Sequence, residues 1–258
     1  MSHHRIAFDQ VRYAYPDGTQ ALDGVTFRLV HGESVGLVGA NGSGKSTLLS
    51  HLNGLLLPQT GLVTVGEVPV RRETLADIRR HVGLVFQDPD DQLFMPTVLE
   101  DVAFGPLNLG MSPAEANNRA LQALEAVGSA SLAHRPPQHL SLGQRSAVAV
   151  AAVLALEPDV LALDEPAARL DPRARRRLIG LLKGFRHTKI VASHDLDLVL
   201  DLCDRVLILK DGRLLKDGPC RELLSDLRLL DEAGLEAPLS LGLIAPDGVR
   251  RPGPSAFC

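Results

Sequence analysis

The chain has 258 residues, 45% of them apolar, with Lys+Arg 27 against Asp+Glu 31 and a net charge of −4. That length and apolar share predict one large domain, or a domain with an inserted subdomain, and a core of Leu, Val, Ile and Ala because Trp is absent. The balance of charge argues against a dedicated nucleic-acid binder, and the longest apolar run, Ala147 to Leu156, is shorter than the about 20 residues a membrane span needs.

The opening Met1-Ser2-His3-His4-Arg5 carries no apolar signal core. Ile6–Tyr15 and Ala21–Val30 read as strands around the turn Pro16-Asp17-Gly18. Ser34–Val38 reads as a buried strand running into a Gly-rich loop, and Lys45–Gly54 as a helix stopped by its glycine. Leu62–Val65 and Val82–Phe86 are further strands. From Asp88 to Leu156 helical patterns dominate, as in Ala114–Val127, broken by Arg135-Pro136-Pro137; they predict a helical insertion at about 88–157. Strands Val160–Leu163, Lys189–Ala192 and Arg205–Leu209 then alternate with helices Arg173–Lys183 and Leu196–Leu202. Such alternation predicts a mainly parallel sheet with helices on both faces. Asp211-Gly212 makes a hairpin turn into Arg213–Lys216. Arg175-Arg176-Arg177 reads as an exposed helix face. The domain is expected to span 1–236, and 237–258, rich in Pro and Gly, reads as a loosely ordered tail. Cys203, Cys220 and Cys258 are far apart, lack CxxC spacing and read as reduced thiols of a cytosolic protein.

Gly39-Ala40-Asn41-Gly42-Ser43-Gly44-Lys45-Ser46 matches GxxxxGK[ST] between a predicted strand and a predicted helix. The glycines let backbone N–H groups close around phosphates, and the helix N-terminus adds partial positive charge. Lys45 supplies a full charge at the β- and γ-phosphates, and the Ser46 hydroxyl is a hard oxygen ligand for Mg²⁺. Thr47 completes the nucleotide-binding stretch. Downstream, Val160-Leu161-Ala162-Leu163-Asp164-Glu165 is an apolar strand ending in two acids. Asp164 at the sheet edge can hold Mg²⁺, and Glu165 can accept a proton from attacking water.

With these motifs in view, the chain resembles ABC-transporter nucleotide-binding subunits from about Ile6 to Leu224. Leu140-Ser141-Leu142-Gly143-Gln144 is similar to the family's LSGGQ signature, Gln87 to its Q-loop glutamine, Ala168-Arg169-Leu170-Asp171 to its D-loop, His194 to its switch histidine and Tyr15 to its adenine-stacking aromatic. The resemblance implies an α/β fold: a P-loop NTPase (RecA-like) core, an N-terminal antiparallel β subdomain and an inserted α-helical signature subdomain. It implies an ATPase using ATP and Mg²⁺. Ser141, Gly143 and Gln144 would meet the γ-phosphate held by a second ATPase subunit, expected to be a copy of the same chain. Gln87 would reach the Mg²⁺ and water site, and His194 the γ-phosphate. Local readings stand beside these: Ser141 and Gln144 fit a capping box, Gln87 an ordinary loop amide, and Tyr13 competes with Tyr15 as the stacking ring. Leu142 stands where the family has Gly, and Ala167 and Arg169 replace its usual Thr and Gly around the D-loop.

Val85-Phe86-Gln87-Asp88-Pro89-Asp90-Asp91-Gln92-Leu93-Phe94 resembles the segment after the Q-loop in energy-coupling-factor transporters, with Asp88 able to cap a short helix. With Asp101–Asn108 and His51-Leu52-Asn53-Gly54 it is most similar to cobalt/nickel-uptake members; vitamin-uptake members are the near alternative. That resemblance implies a peripheral subunit at the cytoplasmic face of the membrane, partnered by an integral membrane T component and a substrate-binding membrane component, without nucleic acid. A soluble ABC ATPase and an inactive regulatory subunit are the other readings; the single phosphate loop and the lack of heptad insertions disfavour the first.

Overall fold

The computed structural model describes residues 6–242. The N-terminal pentapeptide, Cys258 and the rest of the tail beyond 242 lie outside the described residues. Two sheets form the framework. In the first, β1 (Ile6–Ala14), β2 (Gln20–Leu29), β4 (Thr60–Val65) and β5 (Val68–Pro69) run antiparallel in the order β2-β1-β4-β5. In the second, β3 (Ser34–Val38), β6 (Val82–Val85), β7 (Val160–Asp164), β8 (Thr188–Ala192), β9 (Arg205–Lys210) and β10 (Arg213–Pro219) take the order β10-β9-β3-β8-β7-β6. Its strands are parallel except where β10 returns beside β9 through the Asp211-Gly212 turn, both residues at positive φ.

Side-chain alternation divides the second sheet between two cores. Val160, Ala162, Ile190 and Leu207 face α1 (Lys45–Leu52) and the first sheet, packing with Leu48, Leu52, Ile6 and Phe8. Leu161, Leu163, Val191 and Ile208 face the opposite way, onto α6 (Pro172–Gly184) and α7 (Leu196–Leu202) through Leu178, Leu182 and Leu198. One face is therefore covered by α1 and the antiparallel sheet, which is the β subdomain expected beside the core, and the other by helices. Cys203 and Cys220 are free and buried there, and α8 (Cys220–Leu223) and α9 (Leu227–Glu232) close that side.

Between β6 and β7 stand α3 (Val98–Asn108), α4 (Pro113–Ala126) and α5 (Leu142–Leu154), with a core of their own made by Val98, Val102, Ala120, Leu124 and Val148. Small alanines on α4 and α5 let these helices approach closely. Ser112 and Glu115 start α4 with a reciprocal capping box, Pro113 at its first position. The short elements β5, α8 and α9 were not expected, nor was α2 (Leu75–His81), whose one buried residue is Ile78 and which therefore has no apolar stripe to read.

Two readings are corrected. Arg175 is half-buried and paired with Asp195 at 2.7 Å, because α6 packs against the start of α7; only its neighbours Arg176 and Arg177 are exposed. The beginning of the tail is tied down, since the Leu239 and Ser240 amides donate to the Asp197 carboxylate at 3.1 and 2.9 Å.

Leu124 is fully buried in the core of the helical segment. Leu124→Ala is expected to cost about 2–5 kcal/mol, read as a lower urea midpoint at unchanged slope.

Candidate functional site

Four adjacent strands deliver the predicted site residues to one edge. β3 leads into the loop Gly39–Gly44, β8 into Ser193 and His194, β7 ends in Asp164 and Glu165, and β6 leads to Gln87. The register aligns these exits: Leu37 and Asp164 both pair with Ala192, and Val85 pairs with Leu163. The carboxyl end of a parallel sheet is where such folds place ligand chemistry.

The phosphate-loop sequence bends through three glycines at positive φ, Gly39, Gly42 and Gly44, and Gly44 serves as the N-cap of α1. A side chain at Gly44 would run into the Ala21 carbonyl of β2. Asn41 and Gly42 are exposed at the loop tip, while Ser43 and Lys45 are buried and the buried Ser43 Oγ has no hydrogen-bond partner. Lys45 Nζ donates to the Gly39 and Ala40 carbonyls at 2.8 and 3.1 Å. Burial pulls the Lys45 pKa down, and the nearby Glu165 and Asp164 charges oppose that shift.

Asp164 is buried, and burial raises its pKa; a hydrogen bond from Ser46 and the Lys45 charge work the other way, while Glu165 adds to the rise. Glu165 sits at φ 48 directly after the strand, its amide donating to the Ala192 carbonyl at 2.9 Å. That turn sends its side chain away from Asp164. Glu165 Oε1 accepts from the His194 amide and meets the His194 ring Nδ1, both at 2.8 Å, and Oε2 accepts from Ser193 Oγ at 2.9 Å. Ser193 was not expected at the site. It belongs to no motif, and its contact depends on chain folding across 28 residues.

Ser46, Gln87, Asp88, Asp91, Asp164 and Arg169 line one cleft of about 390 Å³. Tyr15 lies beside the loop, its hydroxyl 2.9 Å from Thr47 Oγ1. Tyr15 is the more exposed of the two tyrosines; Tyr13 packs on the core and stands edge-on to the buried His51 ring. Ser141 caps α5, and the box expected from the sequence is complete: the Ser141 amide donates to Gln144 Oε1 at 2.9 Å and the Gln144 amide to Ser141 Oγ at 3.3 Å. Gly143 packs so closely on the D-loop that a Cβ there would lie 2.9 Å from the Arg169 carbonyl oxygen. Ser141, Gly143 and Gln144 do not line the cleft that holds Ser46 and Asp164.

A glycine-lined loop with a buried lysine, hard-oxygen side chains at the sheet edge and a carboxylate bonded to a histidine define a P-loop ATPase of the ABC type. The family model described as ABC transporter matches residues 22–168. The chain belongs to that family and is an ATP-binding, ATP-hydrolysing subunit of the energy-coupling-factor kind. It is 57% identical to a Geobacter sulfurreducens protein provisionally named as an ABC transporter ATP-binding protein, covering 93% of this chain and 97% of that one. It is 46% identical to the energy-coupling factor transporter ATP-binding protein EcfA of Methanocaldococcus jannaschii (90% and 85% covered) and to the cobalt import ATP-binding protein CbiO of Rhodobacter capsulatus (96% and 90%). The solved structure of CbiO1 from Clostridium perfringens, part of the transporter complex CbiONQ, matches with TM-score 0.75 and 37% identity over 89% of this chain and 94% of that one.

A buried carboxylate with a raised pKa penalises the folded state when ionised, and the penalty is relieved as acid restores its proton. Asp164→Asn is therefore expected to raise the Tm of nucleotide-stripped protein at pH 7, and the gain over the native chain should shrink on acidification. Differential scanning fluorimetry across pH 4–8 checks both.

Proposed function

We propose that this chain hydrolyses ATP to drive an importer for cobalt or nickel ions, as one half of a dimer that encloses two nucleotides beneath membrane partners. The observation that carries the reading is the delivery of Ser46, Gln87, Asp164, Glu165 and His194 to one sheet edge by neighbouring strands.

Backbone N–H groups of Gly39, Asn41, Gly42, Ser43 and Gly44 hold the phosphates, and Lys45 turns from its loop carbonyls to the β- and γ-phosphates. Thr47 anchors Tyr15, whose ring stacks on the base. The Ser46 hydroxyl, the Asp164 carboxylate and the Gln87 amide oxygen are hard donors of the kind Mg²⁺ takes, and all three residues line the same cleft. Bound there, the ion would neutralise charge on the β- and γ-oxygens.

Glu165 acts as the general base. It accepts a proton from the water that attacks the γ-phosphorus in line, while ADP leaves through the β–γ bridging oxygen. Ser193 and the His194 amide fix the carboxylate, and the His194 ring, 64% exposed, exchanges its Nδ1 contact with Glu165 for the γ-phosphate. Ser141, Gly143 and Gln144 stand apart from their own chain's cleft, so their phosphate contact is with the nucleotide of a second copy. Loss of the γ-phosphate removes the anion contacted from both sides, and the dimer opens.

No helix among the described residues is long and apolar enough to cross a membrane, so attachment to its cytoplasmic face goes through partners. Phe94, 65% exposed, stacks edge-on to Phe104 at 4.9 Å, with Leu107 exposed on the same helix as Phe104. This apolar patch lies beyond the turn that follows Gln87 and offers the T component a docking surface.

Glu165→Gln is expected to lower kcat by about 10²–10⁴ with ATP binding retained and the dimer accumulating with ATP, read by phosphate release and size-exclusion chromatography. Equal background rates in both proteins would remove the catalytic claim. Phe94→Ser should leave the ATPase rate of the isolated chain unchanged and release it from co-purifying membrane protein. Vesicles carrying the whole complex should take up labelled Co²⁺ or Ni²⁺; uptake of a vitamin instead would move the chain to the vitamin branch.

A further inference from the structure

We propose that Arg169 is a nucleotide-binding residue: Asp88 pairs with its guanidinium in the lining of the cleft, and an entering triphosphate competes with Asp88 for it. This rests on the reading of the cleft as the nucleotide site.

The charges of the cleft set up the competition. Its lining residues include three carboxylates, Asp88, Asp91 and Asp164, and one cation, Arg169. Arg169 Nη1 lies 3.4 Å from Asp88 Oδ2, with side chains 34% and 45% exposed. Such a solvated pair is weak and exchangeable. Asp88 is also held in place by the Asp90 amide, which donates to its Oδ1 at 3.0 Å. A bound triphosphate brings several negative charges to the same space and becomes the stronger partner.

The backbone of Arg169 gives the exchange a mechanical outlet. Its carbonyl is the surface on which the signature residue Gly143 packs. The loop carrying it is pinned at both ends: the Glu165 amide bonds Ala192, and Asp171 caps α6 by accepting from the Arg173 and Ala174 amides. On the other side, Asp88 starts the 3-10 turn Pro89–Asp91, and Asp90 of that turn lies 2.7 Å from Arg145 Nε on α5. That contact is ionic without an aligned N–H, since Nε has no hydrogen bond. The turn after Gln87 is thus linked by charge both to the D-loop and to the signature helix. Releasing Asp88 from Arg169 removes the tie between the D-loop and this turn while leaving the Asp90–Arg145 link in place.

A double-mutant cycle on the full chain tests this. Asp88→Asn keeps the helix cap, because Asn caps as well as Asp, and frees the guanidinium. It should lower the ATP KM and Kd about two- to fivefold, the range of an exposed ion pair, with kcat held within twofold. Arg169→Gln should raise both about tenfold, and Arg169→Lys should recover part of the loss. In the Arg169→Gln background, Asp88→Asn should change nothing. The affinity gain of Asp88→Asn should fade at 1 M NaCl. Unchanged ATP affinity in Arg169→Gln, or the same Asp88→Asn effect with and without Arg169, would overturn the proposal. Lys45→Ala separates the two readings. If it binds ATP as well as the native chain, the nucleotide site itself is wrong; if it loses ATP while Arg169→Gln does not, only the role of Arg169 is wrong.

Discussion

Ala192, fully buried at the end of β8, is held from both sides: it pairs with Leu37 of β3 and with Asp164 of β7, and its carbonyl accepts the Glu165 amide. The Ser193 amide that follows donates to the Leu37 carbonyl at 3.2 Å. These bonds set three chain exits side by side. A parallel register slipped by one residue would turn Asp164 from one sheet face to the other and separate Glu165 from Ser193 and His194. The register is protected by full burial of β3, β7 and β8 on both faces. The chemistry at the edge is therefore as well defined as the hydrophobic packing beneath it.

That edge carries charge at a cost to the folded state. Burial acts against the ionised forms of both Lys45 and Asp164, and each is partly compensated by the other's charge. Ser43 Oγ adds a buried hydroxyl without a partner. Groups held in this way are poised to gain interactions when a polyanion with a divalent cation arrives. By contrast, Glu165 has its hydrogen bonds made within the chain, at 8% side-chain exposure. Ser43 Oγ is thus left unsatisfied within the chain, whereas Glu165 is held at both of its carboxylate oxygens.

What could be read in the sequence is what the chain writes locally. The loop Gly39–Ser46, the acids at the end of β7, the capping box of α5 and the turn at Asp211-Gly212 each lie within a few residues, and their chemistry follows from spacing. The contacts of Glu165 with Ser193 and of Asp88 with Arg169 join segments far apart in the chain, so no local pattern announces them. Arg175 was misread for the same reason, its partner Asp195 lying on the next helix. β5 is two residues long and α2 buries only Ile78, so neither carries a periodicity to detect. α3 hides behind Gly105-Pro106, although Pro106 sits in its last turn and the helix still ends only at Asn108.

Leu142, which departs from the family pattern, bears on how much of the signature survives. It is the first residue of α5, and that position takes ordinary helical φ and ψ, so the backbone there has no need of glycine. The Ser141–Gln144 box closes across it in both directions, and the Leu142 side chain is 38% exposed rather than wedged into the fold. Gly143 is the position where a side chain cannot be accommodated without moving the Arg169 carbonyl, and there glycine is retained. The local geometry that presents Ser141 and the helix N-terminus is thus independent of the residue at 142. In the dimer proposed above, the exposed Leu142 side chain would meet the facing subunit, so a substitution there would be felt in dimer closure rather than in the folding of the signature helix.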